Sequence, residues 1–74
     1  MENDEFRIRA YGFYELAQIY NPDITADAAA KRLRNWIRVN KSLSEDLSTY
    51  GYSKGNRLLT PLQVRTIVRY IGEP

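Results

Sequence analysis

Lys31, Arg34, Asn35 and Arg38 stand three and four residues apart, the spacing that gathers side chains on one face of an α-helix. Arg32 and Lys41 fall near the edge of that face. Guanidinium and ammonium groups arrayed this way meet phosphates and release their counterions, and an asparagine among them carries the donor and acceptor that an adenine edge requires. A second polar cluster, Lys54, Asn56 and Arg57, surrounds a Gly55-Asn56 turn signal and suits an exposed loop tip reaching toward an adjacent groove. The alternative for both is a solvated surface, because amphipathic helices and exposed turns carry such charges without a ligand.

Catalytic chemistry has no comparable constellation. The chain contains neither cysteine nor histidine, which removes thiol nucleophiles, serine-histidine triads and the usual zinc sites. Carboxylate catalysis is what remains, yet Glu45 and Asp46 are adjacent and diverge on a helix. The stretch Gly51 to Gly55 lacks the Lys-Ser/Thr that completes a phosphate-binding loop. A protein with no enzymatic activity, no cofactor, no metal and no small-molecule substrate is expected.

The formal net charge is only +2, but it is unevenly placed. Residues 1–30 set Arg7 and Arg9 against Glu2, Asp4, Glu5, Glu15, Asp23 and Asp27, a balance of −4. Residues 31–69 hold nine lysines and arginines against Glu45 and Asp46, a balance of +7. A basic face able to meet a polyanion follows from that asymmetry.

The elements that must position these groups fit one domain of 74 residues with 43% hydrophobic and 27% charged content. Residues 1–5 are acidic, lack an apolar pattern and are expected to form a mobile tail, leaving 6–74 as the single domain. No apolar run reaches the roughly 18–20 residues of a membrane helix, and the acidic start is the wrong sign for a signal peptide, so a cytoplasmic address is expected. Phe6 to Tyr11 alternates apolar and basic residues and predicts a short edge strand with Phe6, Ile8 and Ala10 inward, broken at Gly12. Phe13, Leu16, Ala17 and Tyr20 then mark a first helix that must stop at Asn21, before Pro22.

Thr25 caps a second helix over Ala26 to Val39, with Ala29, Leu33, Trp36 and Ile37 facing inward. Ser42-Leu43-Ser44-Glu45 has the pattern of a capping box opening a third helix, with Leu43 and Leu47 inward and Gly51 as its stop. Residues 52–59 predict a small hairpin or projecting loop. Thr60-Pro61-Leu62-Gln63 opens the last helix, whose Val64, Ile67, Val68 and Ile71 are buried while Arg65 and Arg69 are exposed. Leu33, Trp36 and Ile37 are expected to pack against both the first and the closing helix. Tyr11 and Tyr20 are expected to pack at the ends of the first helix, and exposed tyrosines are sought among Tyr14, Tyr50, Tyr52 and Tyr70.

This order of elements resembles a helix-turn-helix domain with a wing. Tyr14-Glu15-Leu16-Ala17-Gln18-Ile19-Tyr20 is similar to the first helix of such motifs, and Gly51-Tyr52 to Arg57 followed by Thr60 to Val64 resembles the wing and next helix of MerR-like and excisionase-like domains. Nearly the whole chain resembles a bacterial family of small uncharacterised proteins, a domain-of-unknown-function family. The residues that carry this second likeness are Tyr11-Gly12, Glu15-Leu16-Ala17, Leu33, Trp36-Ile37, Gly51-Tyr52, Arg57, Thr60-Pro61, Gln63-Val64 and Gly72-Glu73-Pro74. It implies a mostly α, winged helix-turn-helix-like fold and brings no activity with it. Two departures stand out. Asn21 occupies the place where glycine is usual, and the second helix starts with small or acidic residues, Thr25-Ala26-Asp27-Ala28, its basic side chains clustering only from Lys31 onward, which suits phosphate contact better than base readout. The expected function is DNA binding or DNA architecture, with duplex DNA as partner. The rival is a protein-interaction module or homodimer using exposed tyrosines and the Phe6–Tyr11 edge.

Overall fold

A computed structural model describes residues 6–53 and 55–74. The elements run β1 (Tyr11–Gly12), α1 (Phe13–Tyr20), α2 (Ala26–Val39), α3 (Lys41–Thr49), β2 (Leu58–Leu59) and α4 (Pro61–Ile71). Residues 1–5, expected as a tail, and Lys54 lie outside the described residues. The domain is mostly α, and the one ladder among the described residues is antiparallel, pairing Tyr11 with Leu59 and Gly12 with Leu58. This arrangement is consistent with a small winged helix-turn-helix-like domain.

Local chemistry sets each helix boundary. The Gly12 N–H donates to Glu15 Oε1 over 3.1 Å at the start of α1. At its end the Asn21 N–H donates to the carbonyls of Ala17 and Gln18, and the Asn21 amide donates to Ala17 as well. Asn21 has φ −133°, outside the left-handed region, so it serves through its side chain rather than as a stand-in for glycine. Thr25 Oγ1 accepts from the Ala28 N–H and starts α2 where the sequence predicts.

The start of α3 differs from expectation. Asn40, not Ser42, is its cap: Oδ1 accepts from the Leu43 N–H at 3.1 Å while the Asn40 N–H closes α2 on Ile37. One residue thus joins two helices, leaving Ser42 inside the first turn. Gly51, at φ +89°, ends α3 with its N–H on Ser48, and the Tyr52 N–H returns to Leu47, a Schellman pair. Thr60 and Gln63 exchange the reciprocal bonds of a capping box, with Pro61 in the first turn of α4.

Phe6 to Ala10 is not a strand. The segment curls back on itself, because the Tyr11 hydroxyl donates to the Arg7 carbonyl at 2.8 Å and the Phe6 and Tyr11 rings stack at 5.4 Å. Tyr11 becomes the buried residue and Ile8 is exposed. Of the two forms expected over 52–59, the described residues show no ladder within the segment and so fit the loop rather than the hairpin. The strand that follows this loop pairs instead with β1, and the Arg57 carbonyl accepts from the Phe13 N–H at 2.8 Å, which pins the loop to the start of α1.

Leu16, Ala17, Ala29, Ala30, Leu33, Leu43, Leu47, Leu59, Val64 and Ile67 are fully enclosed, with Phe13, Tyr11 and Ile37 nearly so. Trp36 is half-buried at the edge of this core, edge-on to Tyr20 with ring centroids 5.9 Å apart. Tyr20 is half-buried too and donates to the Gly72 carbonyl. The helices pack in sequence, α1 on α2, α2 on α3 and α3 on α4. The closing helix leans on α3 and β2, and Leu33 and Ile37 of α2 share one core with Leu16, Ala17, Val64 and Ile67, with Trp36 and Val68 packed against it.

Candidate nucleic-acid interface

Helical spacing places Asp27, Lys31, Arg34 and Arg38 along one line of α2, about 115° from its buried stripe at 100° per residue. Lys31 and Arg38 are exposed. Arg34 is half-buried, and its guanidinium carbon lies 5.3 Å from the Phe13 ring centre and 5.9 Å from that of Tyr14. Arg34, expected on the face opposite the apolar one, thus has its planar head held against two rings of α1.

Arg38 donates to Asn35 Oδ1 at 2.6 Å, so the asparagine carbonyl that would read an adenine is already engaged. Arg32 diverges from the group. It donates to Asn21 Oδ1 at 3.3 Å, across the α1–α2 turn, and takes a structural part there. Arg57 is exposed in the loop before β2, while Lys54 lies outside the described residues.

Two openings flank Arg34. One, of about 390 Å³, runs between the start of α1 and the loop and is bordered by Phe13, Tyr14, Asn56 and Arg57. The other, about 470 Å³, lies between α2 and α3 and is bordered by Arg38, Ser44, Ser48, Tyr52 and Ser53. Arg34 lines both, so the basic line of α2 continues into the loop through one guanidinium. Loop shape comes from Gly55 at φ +95° and from Ser53, whose carbonyl accepts the Asn56 N–H and whose hydroxyl bonds Asn56 Oδ1 at 2.9 Å.

Glu15 is the one carboxylate bordering these openings among the described residues. Arg9 neutralises it at 3.1 Å, and that bond together with the Gly12 N–H holds its carboxyl below the ordinary glutamate range. Asp46 faces α4 and accepts from the Tyr70 hydroxyl at 2.7 Å. Burial pushes the Tyr52 phenol up, opposed by the positive charge of Arg34. The result is a positive surface with little local negative charge to compete for an anion.

The family model for the domain of unknown function DUF4248 matches residues 7–74. The chain belongs to that family. No curated protein and no solved structure matches it. Of the seven residues expected to contact DNA, this DUF4248 domain brings Lys31, Arg34, Asn35, Arg38 and Arg57 to one side and turns Arg32 away. Sequence reasoning missed Ser44, Ser48 and Ser53 as groove residues. The signal available for two of them was their i, i+4 spacing on α3, beside the inward Leu43 and Leu47. No described helix is long and apolar enough to cross a membrane.

Proposed function

We propose that this DUF4248 domain is a non-enzymatic, cytoplasmic protein that binds duplex DNA mainly through phosphates, with α2 against the backbone and residues 53–57 as its wing. The observation that carries this reading is the position of Arg34, which shares one opening with Arg38 of α2 and the other with Asn56 and Arg57 of the loop, with Lys31 in line on α2. Small and acidic residues at the start of α2, and the engagement of Asn35 by Arg38, favour backbone contact over base readout. A fluorescence anisotropy titration with random-sequence duplex at two salt concentrations tests it. Micromolar binding that weakens steeply with salt is expected; no binding at low salt by folded protein rejects it.

A second reading, a protein-interaction surface or homodimer, draws on Val39 and Leu58, both nearly two-thirds exposed, and on the exposed rings of Tyr14, Tyr50 and Tyr70. Binding through that surface would be insensitive to salt, because apolar contacts lack the counterion release of phosphate contacts.

A further inference from the structure

We propose that the groove between α2 and α3 seats one phosphate group, with Arg34 and Arg38 as its charged partners and the hydroxyls of Ser44 and Ser48 as further donors. This goes beyond duplex binding, since a phosphate on a free nucleotide presents the same chemistry as one on a DNA backbone.

The argument starts from the walls. Arg34 and Arg38 of α2, Ser44 and Ser48 of α3 and Ser53 after Gly51 line the groove, and no carboxylate lines it among the described residues. Arg38 spends one N–H on Asn35, which leaves four of its five donors, and neither Arg34 nor Arg38 is ion-paired among the described residues. Planar guanidiniums suit phosphate through bidentate bonding, and hydroxyls rotate to complete the shell. Arg34 is held in place by the Phe13 and Tyr14 rings, so less freedom is lost when it binds.

Rigid neighbours define the pocket. Ser44 and Ser48 sit on one face of α3 whose other side is anchored by Leu43 and Leu47. Tyr52 is fixed by its N–H bond to Leu47 and by packing on the Phe13 ring at 6.3 Å. The volume of about 470 Å³ lies within the range of small-molecule sites, roughly 300–1,000 Å³, and Ile37 with Tyr52 supplies an apolar wall. Beside the phosphate there is room for the group that carries it.

The test is amide-resolved NMR titration of the full chain with inorganic phosphate, adenosine monophosphate, adenosine and random-sequence duplex, at matched ionic strength with chloride as control. Saturable shifts at Ser44, Ser48, Tyr52 and Ser53 with phosphate and the monophosphate, but not with adenosine or chloride, are expected. Ser48→Glu, which sets a carboxylate against both arginines, should weaken this binding at least tenfold. Arg38→Gln provides a second variant should Ser48→Glu fail to fold, and Arg65→Gln on the exposed side of α4 should leave binding unchanged. If duplex moves the same amides and displaces the monophosphate, the seat takes a backbone phosphate. A monophosphate that duplex does not displace makes it a seat for a free phosphorylated molecule. No saturable shift with either phosphate compound overturns the proposal. Duplex binding in that case keeps the DNA reading intact, whereas a filled seat without any duplex binding removes the DNA reading alone.

Discussion

The side-chain amide of Gln63 donates to the Tyr50 carbonyl across 2.8 Å, tying the first turn of α4 to the C-cap of α3. Its other side-chain atom accepts from the Thr60 N–H, so one buried glutamine satisfies groups on two elements. Truncation to Ala leaves the Tyr50 carbonyl without this donor and dissolves half of the capping box. Gln63→Ala should cost about 2–3 kcal/mol, against about 1 kcal/mol for Thr60→Ala, which removes only the cap. Urea denaturation of both variants checks the order; equal losses would mean that the bond to Tyr50 contributes nothing.

Trp36 and Leu33 separate the edge of the core from its centre. Leu33 is fully enclosed, whereas Trp36 is half-buried against Tyr20. Leu33→Ala should therefore cost about 3–5 kcal/mol and bring the domain near unfolding, while Trp36→Ala should stay at about 2–3 kcal/mol. Thermal melts give the comparison. A Trp36→Ala domain less stable than Leu33→Ala would place the indole, not the leucine, at the centre.

Helices α1, α2 and α4 were legible in the sequence because their apolar spacing and their caps agree. Thr25, Asn21 and the Thr60-Gln63 pair mark the boundaries that the structure shows. The strands were not legible, because Phe6, Ile8 and Ala10 alternate as a strand does while the Tyr11 hydroxyl and ring pull that segment into a curl. Nothing local shows that Leu58 and Leu59 pair with residues far back in the chain. For the site, helical spacing found Lys31, Arg34 and Arg38. Spacing alone does not reveal where a long side chain ends, so it misplaced Arg32, which reaches Asn21. It also could not foresee that Arg34 would lie across Phe13 and link two openings.

Alkaline pH should loosen the end of the chain through Tyr20. Burial, followed by the negative charge of Glu73, raises its phenol from 10.0 to about 12. The folded state thus holds this proton more tightly than the unfolded state, so the contribution is full below about pH 10 and is lost as pH rises through 12. Burial at Tyr52 and the bond of Tyr70 to Asp46 shift those phenols the same way. Tyr20→Phe loses the bond to Gly72 and should be less stable than wild type by about 1 kcal/mol at neutral pH. That gap should close between pH 10 and about 12, as the wild-type tyrosine ionises. Melting curves across this range provide the check, and a gap that stays constant would show that Tyr20 titrates normally.

The arginines of α2 should differ from one another in how they affect DNA binding, even though they share one helix. Arg38 lines the α2–α3 groove, whereas Arg32 gives one of its N–H donors to Asn21 at the far side. Arg38→Gln should lower the slope of log affinity against log salt by roughly one unit and weaken binding to all sequences alike, as loss of one phosphate contact requires. Arg32→Gln should leave that slope unchanged and reduce stability slightly, since it breaks only an internal hydrogen bond. Asn35→Ala should leave sequence preference unchanged, because Arg38 already holds its carbonyl. Asp27 lies in line with Lys31, Arg34 and Arg38 at the start of α2, where a phosphate backbone approaching that face would meet the wrong charge. Asp27→Asn should tighten binding while giving up about 0.3–1 kcal/mol of helix stability from the dipole. Anisotropy titrations of the four variants, each at several salt concentrations, measure every term. An equal fall in slope for Arg32→Gln and Arg38→Gln would show that general charge, not the α2 face, attracts the duplex, and weaker binding by Asp27→Asn would put the DNA on another side of the helix.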